Sequence, residues 1–148
     1  MSSTGLDVID TTVQETNKWL KIVMDELPTT DRRSAFNVLR ATLHTLRDVL
    51  GPANAVHLGA QLPMLLRGAY YEGWRLSDSP SHERHLDQFF AHIADELPRQ
   101  LDVTPQRAAR AGFLALARSI DEGELLKIIR LLPPELRPLV RLPGEAFQ

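Results

Sequence analysis

Asp25-Glu26-Leu27-Pro28 returns 70 residues later as Asp95-Glu96-Leu97-Pro98, and Leu62-Pro63 returns as Leu132-Pro133. Between these anchors Arg40-Ala41 falls on Arg110-Ala111, Leu46 on Leu116 and Leu66-Arg67 on Leu136-Arg137. Trp19/Phe89, Leu43/Phe113, Leu50/Ile120 and Leu58/Ile128 exchange one apolar residue for another. The register needs no gap and carries 11 identities. A repeat of this kind fixes architecture before any chemistry is considered.

Each copy reads as helices. The first runs from about Asp10 to Leu27, with Val13, Thr16, Leu20, Val23 and Leu27 on one stripe, and Pro28 ends it. Thr30 or Asp31 caps a second helix whose broad apolar face (Val38, Leu39, Leu43, Leu46, Leu50) marks it as central. Gly51-Pro52 breaks the chain before a short third helix, and Pro63 restarts it as a fourth, Met64 to about Tyr71. In the second copy the same order predicts helices over about His82–Leu97, from Thr104-Pro105 to Ile120, from a capping Asp121, and from Pro133-Pro134, the last cut short or kinked by Pro138. The fold expected is all-α: one domain of two tandem four-helix units, each with two long and two short helices, packed as a pseudo-two-fold bundle. The first repeat covers residues 10–71, a linker 72–81, the second repeat 82–140 and a tail 141–148, which Leu142 and Phe147 could anchor.

Composition narrows the function classes. A net charge of −2, shared evenly between the halves, gives no basic excess for nucleic acid or an anionic membrane, so neither partner is expected. The absence of cysteine removes disulfides, thiolate zinc sites and Cys nucleophiles. No secretory signal is read at the N-terminus and no apolar run approaches the ~20 residues of a spanning helix, which places the chain in the cytoplasm. Gly-rich phosphate loops, nucleophile elbows and EF-hand loops are missing.

The segment from Ala53 to Trp74, AVHLGAQLPMLLRGAYYEGW from Ala55 onward, resembles the signature of a bacterial family known as domain of unknown function 2267. Leu6 to Leu20 is similar to that family's opening, and Glu122-Gly123-Glu124 with Leu131-Leu132-Pro133 to its closing helix pair. The resemblance implies a helical, cytoplasmic bacterial protein, often in stress-associated gene neighbourhoods. It supplies no catalytic residues to carry over.

Three groups of residues merit a structural test. Tyr70, Tyr71, Glu72, Trp74 and Arg75 form the densest aromatic cluster, lie at the junction of the copies and have no counterpart in the second. With Met64 on the neighbouring helix they could form a contact surface for a protein partner or a second copy, or else plug the gap between copies. His82, His85 and His92 fall on about one helical face and are weak candidates for a metal, against the simpler reading of a solvated helix start. Arg40, Arg47, Arg107, Arg110 and Arg118 could present phosphate-binding rows, or a solvated face laced with acids. His44 and Asp48, four apart, read as an ordinary helix pair. The leading expectation is a non-enzymatic interaction or scaffold module without a cofactor. The alternative is a small-molecule or metal-binding sensor or enzyme built on the aromatic junction, with Glu72 as its acid/base.

Overall fold

The computed structural model describes residues 3–27, 29–81 and 84–140, so the expectations placed on Pro28, His82 and the tail lie outside the described residues. Every regular element among the described residues is helical. In chain order they are α1 (Asp7–Glu26), α2 (Arg32–Leu50), α3 (Pro52–Gly59), α4 (Met64–Tyr71), a 3-10 turn at Leu76–Asp78, α5 (Leu86–Glu96), α6 (Pro105–Ser119), α7 (Glu122–Leu131) and a 3-10 segment at Pro134–Leu139. The repeat is visible in the boundaries: α3 starts at Pro52 and α7 at Glu122, α1 ends at Glu26 and α5 at Glu96, each pair 70 residues apart.

Local chemistry sets the starts. Asp31 Oδ1 accepts from the Arg33 N–H at 3.1 Å, Thr104 Oγ1 from Arg107 at 3.2 Å and Asp121 Oδ2 from Gly123 at 3.1 Å, so three of the anticipated caps form. Between α2 and α3 the chain turns at Gly51, whose φ of +84° suits only glycine, and the ring of Pro80 lies over it. The segment after Leu132 differs from its counterpart α4. Pro133, Pro134 and Pro138 lack N–H groups, so the α ladder cannot propagate and only i+3 bonds remain, such as Leu136 N–H to Pro133 O at 2.9 Å. Both Leu-Pro joints are held in the same way. Arg67 Nη2 donates to Leu62 O at 2.9 Å and Arg137 Nε donates to Leu132 O at 3.1 Å.

The helices interlock instead of forming two separate units. α1 packs on α2 and also on α6, while α5 packs on α6 and also on α2, so the first helix of each copy bridges to the second helix of the other. α2 and α6 cross at small residues, where Gly112 faces Thr42 so closely that an added Cβ would lie 2.6 Å from the Thr42 Cβ. Thr42 and Gly112 are equivalents at the 70-residue offset. The shared core contains the matched pairs Leu43/Phe113, Leu46/Leu116, Leu58/Ile128, Leu62/Leu132 and Leu66/Leu136, all buried. Phe89 and Phe113 stack within it at 5.9 Å.

Two expectations about helix ends are corrected. α1 begins at Asp7, three residues earlier than its polar start suggests, and its extra turn leaves Leu6, Val8 and Ile9 exposed, with Val13 just beyond. α5 begins at Leu86, four residues later than expected, where both near and distant groups take up the chain: Gln88 Oε1 accepts from His85 N–H at 3.3 Å, Glu135 Oε1 accepts from Leu86 N–H at 3.1 Å, and Glu135 Oε2 lies 2.9 Å from His85 Nδ1.

This exposed pair sets a pH signature. The hydrogen bond to Glu135, then its charge, holds the His85 ring above its ordinary value of 6.5. The same bond, then the Leu86 N–H, holds Glu135 below its ordinary 4.5. The His85 contribution is complete below 6.5 and lost as pH rises through its folded value. The Glu135 contribution is complete above 4.5 and lost as pH falls through its folded value, so the tether is strongest between those limits. In an NMR titration the His85 ring should show a raised midpoint that falls back in Glu135→Gln; an unchanged midpoint in the variant would mean that the contact is not formed in solution.

Candidate functional site

The junction of the two copies is a polar knot built by α2 beneath the end of α4. The last carbonyls of α4 have no partners within the helix. His44 and Arg47, three apart on α2 and about 5% exposed or less, reach up to them. His44 Nε2 donates to Ala69 O at 2.7 Å, and Arg47 Nη1 donates to Tyr70 O at 2.6 Å and to Glu72 O at 3.1 Å. Basic groups are favoured at this end of a helix by its dipole. Each is balanced from the other side. Glu96, closing α5, places its carboxylate oxygens 2.9 and 3.1 Å from His44 Nδ1. Arg47 Nε donates to Asp48 Oδ1 at 2.9 Å, and the other Asp48 oxygen lies 3.5 Å from His92 Nε2. The knot therefore joins α2 and α4 of the first copy to α5 of the second, and the linker docks on it through Ser81 N–H to Asp48 O at 2.7 Å.

The aromatic cluster divides between core and surface. Tyr70 is fully buried, and its hydroxyl donates to Ala55 O at 2.7 Å. Burial, with a smaller push from Tyr71, drives the phenol well above its usual range, so it stays protonated and cannot exchange protons near neutrality. Tyr71 is half-buried and packs over Gly59, where any Cβ would collide with its hydroxyl, and it meets Tyr70 edge-on at 5.0 Å and Trp74 at 5.6 Å. The half-buried Trp74 keeps its indole N–H out of solvent without an acceptor among the described residues. Glu72 and Arg75 are exposed, and Glu72 Oε1 stands 4.0 Å from Arg40 Nη1, a loose surface pair worth little. Tyr70 and much of Tyr71 thus pack within the first copy, against Ala55 and Gly59, leaving Glu72 and Arg75 exposed and Trp74 half-buried. Tyr70→Phe should cost about 1 kcal/mol, the worth of one buried hydrogen bond, read as a shift in the urea midpoint at constant slope.

Met64 falls elsewhere. It opens α4 with Leu65, both about half exposed, whereas Leu66 is core. Leu65 N–H donates to Thr12 Oγ1 at 2.8 Å, which pins this end of α4 against the uncovered turns of α1. Leu6, Val8, Ile9, Val13, Met64 and Leu65 make up most of the large apolar side chains exposed among the described residues.

Of the histidine set, the two described members stand apart. His85 sits before α5 on Glu135 and His92 lies two turns on beside Asp48, because the helix that would have stacked them starts later. Among the described residues no three His, Asp or Glu side chains gather as a metal site requires. The arginine row is likewise dispersed: Arg47 is interior, Arg107 Nη2 donates to Glu26 O at 3.3 Å, and Arg118 lines a cleft with Glu15, Lys18 and Trp19. The knot itself escaped sequence reasoning, although His44 and Arg47 interrupting the apolar face of α2 were a signal for it.

A separate cleft of 330 Å³ opens between α3 and α7. Leu58 and Ile128 form its floor, and His57 and Lys127 stand opposite one another on its rim; both pairs are equivalents at the 70-residue offset.

None of the described helices is long and apolar enough to cross a membrane. No curated protein matches the chain significantly. The family described as "Uncharacterized conserved protein (DUF2267)" matches residues 16–139, which takes in α2 to α7, both Leu-Pro joints and the whole polar knot. The chain belongs to the DUF2267 family.

Proposed function

We propose that this protein is a non-enzymatic interaction module in which a duplicated, approximately two-fold helical body presents the exposed starts of α1 and α4 to a protein partner. The observation that carries the reading is the apolar surface of Leu6, Val8, Ile9, Val13, Met64 and Leu65, joined by the Thr12–Leu65 hydrogen bond. Isolated exposed apolar residues are ordinary, but a group continuing the core-facing stripe of a helix marks a contact surface. The flank is acidic, with Asp7, Asp10 and Glu15 on α1 and no basic residue before Lys18. Two copies meeting there would bring like charges together, so the partner proposed is an apolar ridge flanked by Lys or Arg. The bacterial, stress-associated and cytoplasmic setting implied by the family resemblance belongs to this same proposal.

Leu65→Asp combined with Val13→Asp should leave the helical fold intact by circular dichroism, since the two positions are 44% and 37% exposed and lie outside the core. A Leu/Lys amphipathic helical peptide should shift the amides of residues 6–13 and 64–65 in the wild type at low salt and lose that effect in the double variant. Binding that survives both substitutions, or a wild-type chain that dimerises through this surface, would overturn the assignment.

A further inference from the structure

The cleft between α3 and α7 is lined by equivalent positions of the two copies, and its chemistry differs from that of the α1–α4 face. Leu58 and Ile128 are buried in its floor, and Leu131, 46% exposed, extends the apolar surface to the mouth. At 330 Å³ it has the size of a small-molecule site and is short for a partner helix.

The two copies have diverged on the rim. α3 and the turn after it contribute Asn54, His57 and Gln61, whereas α7 contributes Lys127, Arg130 and Glu124. Glu124 Oε1 is 3.5 Å from Lys127 Nζ, an exposed i,i+3 pair that a ligand can displace. Other arginines facing the joints are already committed: Arg47, Arg67, Arg107 and Arg137 all donate to backbone carbonyls. The side chains of Arg130, His57 and Gln61 make no hydrogen bond to protein among the described residues. Three donors therefore converge on an apolar floor, and even a neutral imidazole keeps one N–H. Two cations against one carboxylate leave the rim one positive charge in excess, which matches a monoanion better than a phosphate dianion.

We propose that this cleft binds a small monocarboxylate amphiphile, an aliphatic or aromatic acid whose apolar body lies on Leu58, Ile128 and Leu131 and whose carboxylate is taken by Arg130 and Lys127. Arg130 offers the planar fork that a carboxylate accepts in two parallel bonds. His57 and Gln61 complete the donor set from the opposite wall.

The test uses the full chain with octanoate, 1-octanol and octylammonium, followed by amide shifts. Octanoate should saturate a single site and move the amides of residues 54–61 and 124–131. The alcohol should bind at least about tenfold more weakly and the ammonium weaker still. Arg130→Gln should weaken octanoate by about tenfold, and Leu131→Asp should abolish binding; both positions are exposed, so each variant should melt close to wild type. Equal binding of octanoate and octylammonium, shifts centred elsewhere, no saturation in the millimolar range, or occupation only by a helical peptide would each overturn the proposal.

Discussion

Arg47→Met is expected to destabilise the protein by about 3 kcal/mol, because it removes a buried arginine from a largely buried carboxylate and uncaps a helix in one step. The arginine is 4% exposed and serves three acceptors: the carbonyls of Tyr70 and Glu72 and the Asp48 carboxylate. Methionine of similar length fills the space and satisfies none of them. The buried Tyr70 carbonyl at the end of α4 would lose its partner, as would the part-buried Glu72 carbonyl just beyond it, and Asp48 would keep the longer contact to His92 at 3.5 Å. Arg47→Lys should recover little, since one ammonium cannot span the fork from Asp48 to Tyr70. Arg40→Met provides the contrast: its charge contact is a loose one, 4.0 Å from an exposed Glu72, and the loss should stay within about 0.5 kcal/mol. Urea unfolding of the three variants decides the matter. A loss below about 1 kcal/mol for Arg47→Met would mean that the knot adds no net stability.

Gly112→Ala should reverse the usual sign. In an exposed helix interior the exchange stabilises by about 1 kcal/mol. Here the new methyl would stand 2.6 Å from the Thr42 Cβ and 2.7 Å from its Cγ2, at the crossing of two central helices. No flexible side-chain end can yield, because Thr42 is branched and its hydroxyl is tied to Val38 O at 2.9 Å. The helices must separate, at a net cost of about 1–3 kcal/mol. Thr42→Gly removes the obstruction, so the double variant should be more stable than the sum of the single losses by at least about 1 kcal/mol. Simple additivity would show that α2 and α6 do not meet there.

The all-helical fold was legible because its punctuation is local. Pro63 and Pro133, the caps Asp31, Thr104 and Asp121, and the Gly51-Pro52 break each act on neighbours a few residues away, and the offset then matched the copies. The start of α5 was misplaced partly for the opposite reason: beside the local Gln88, Glu135 accepts from Leu86 N–H, 49 residues away. The polar knot was hidden likewise, since His44 finds its partners at Ala69 and Glu96, 25 and 52 residues on. A spacing of four suggested Asp48 as the partner of His44, whereas Asp48 serves Arg47 and His92. The aromatic junction was visible as composition, but which ring lay inward depended on Ala55, where the Tyr70 hydroxyl ends. Met64 was legible as a candidate contact residue, but its neighbours on that surface, Leu6, Val8 and Ile9, depended on the earlier start of α1.

The meeting of Thr42 with Gly112 bears on how such a chain can evolve. Were the halves identical subunits of a homodimer, one codon would supply both sides of that contact, and threonine would press on threonine. Carried on one polypeptide, the two sides mutate independently, so one helix can retain a branched hydroxyl while the other gives up its side chain to admit it. The same freedom lets His44 and Arg47 stand where the other half has Leu114 and Ala117. Fusion thereby converts a symmetric seam into one whose sides can specialise, a lock on one half and a bare wall on the other.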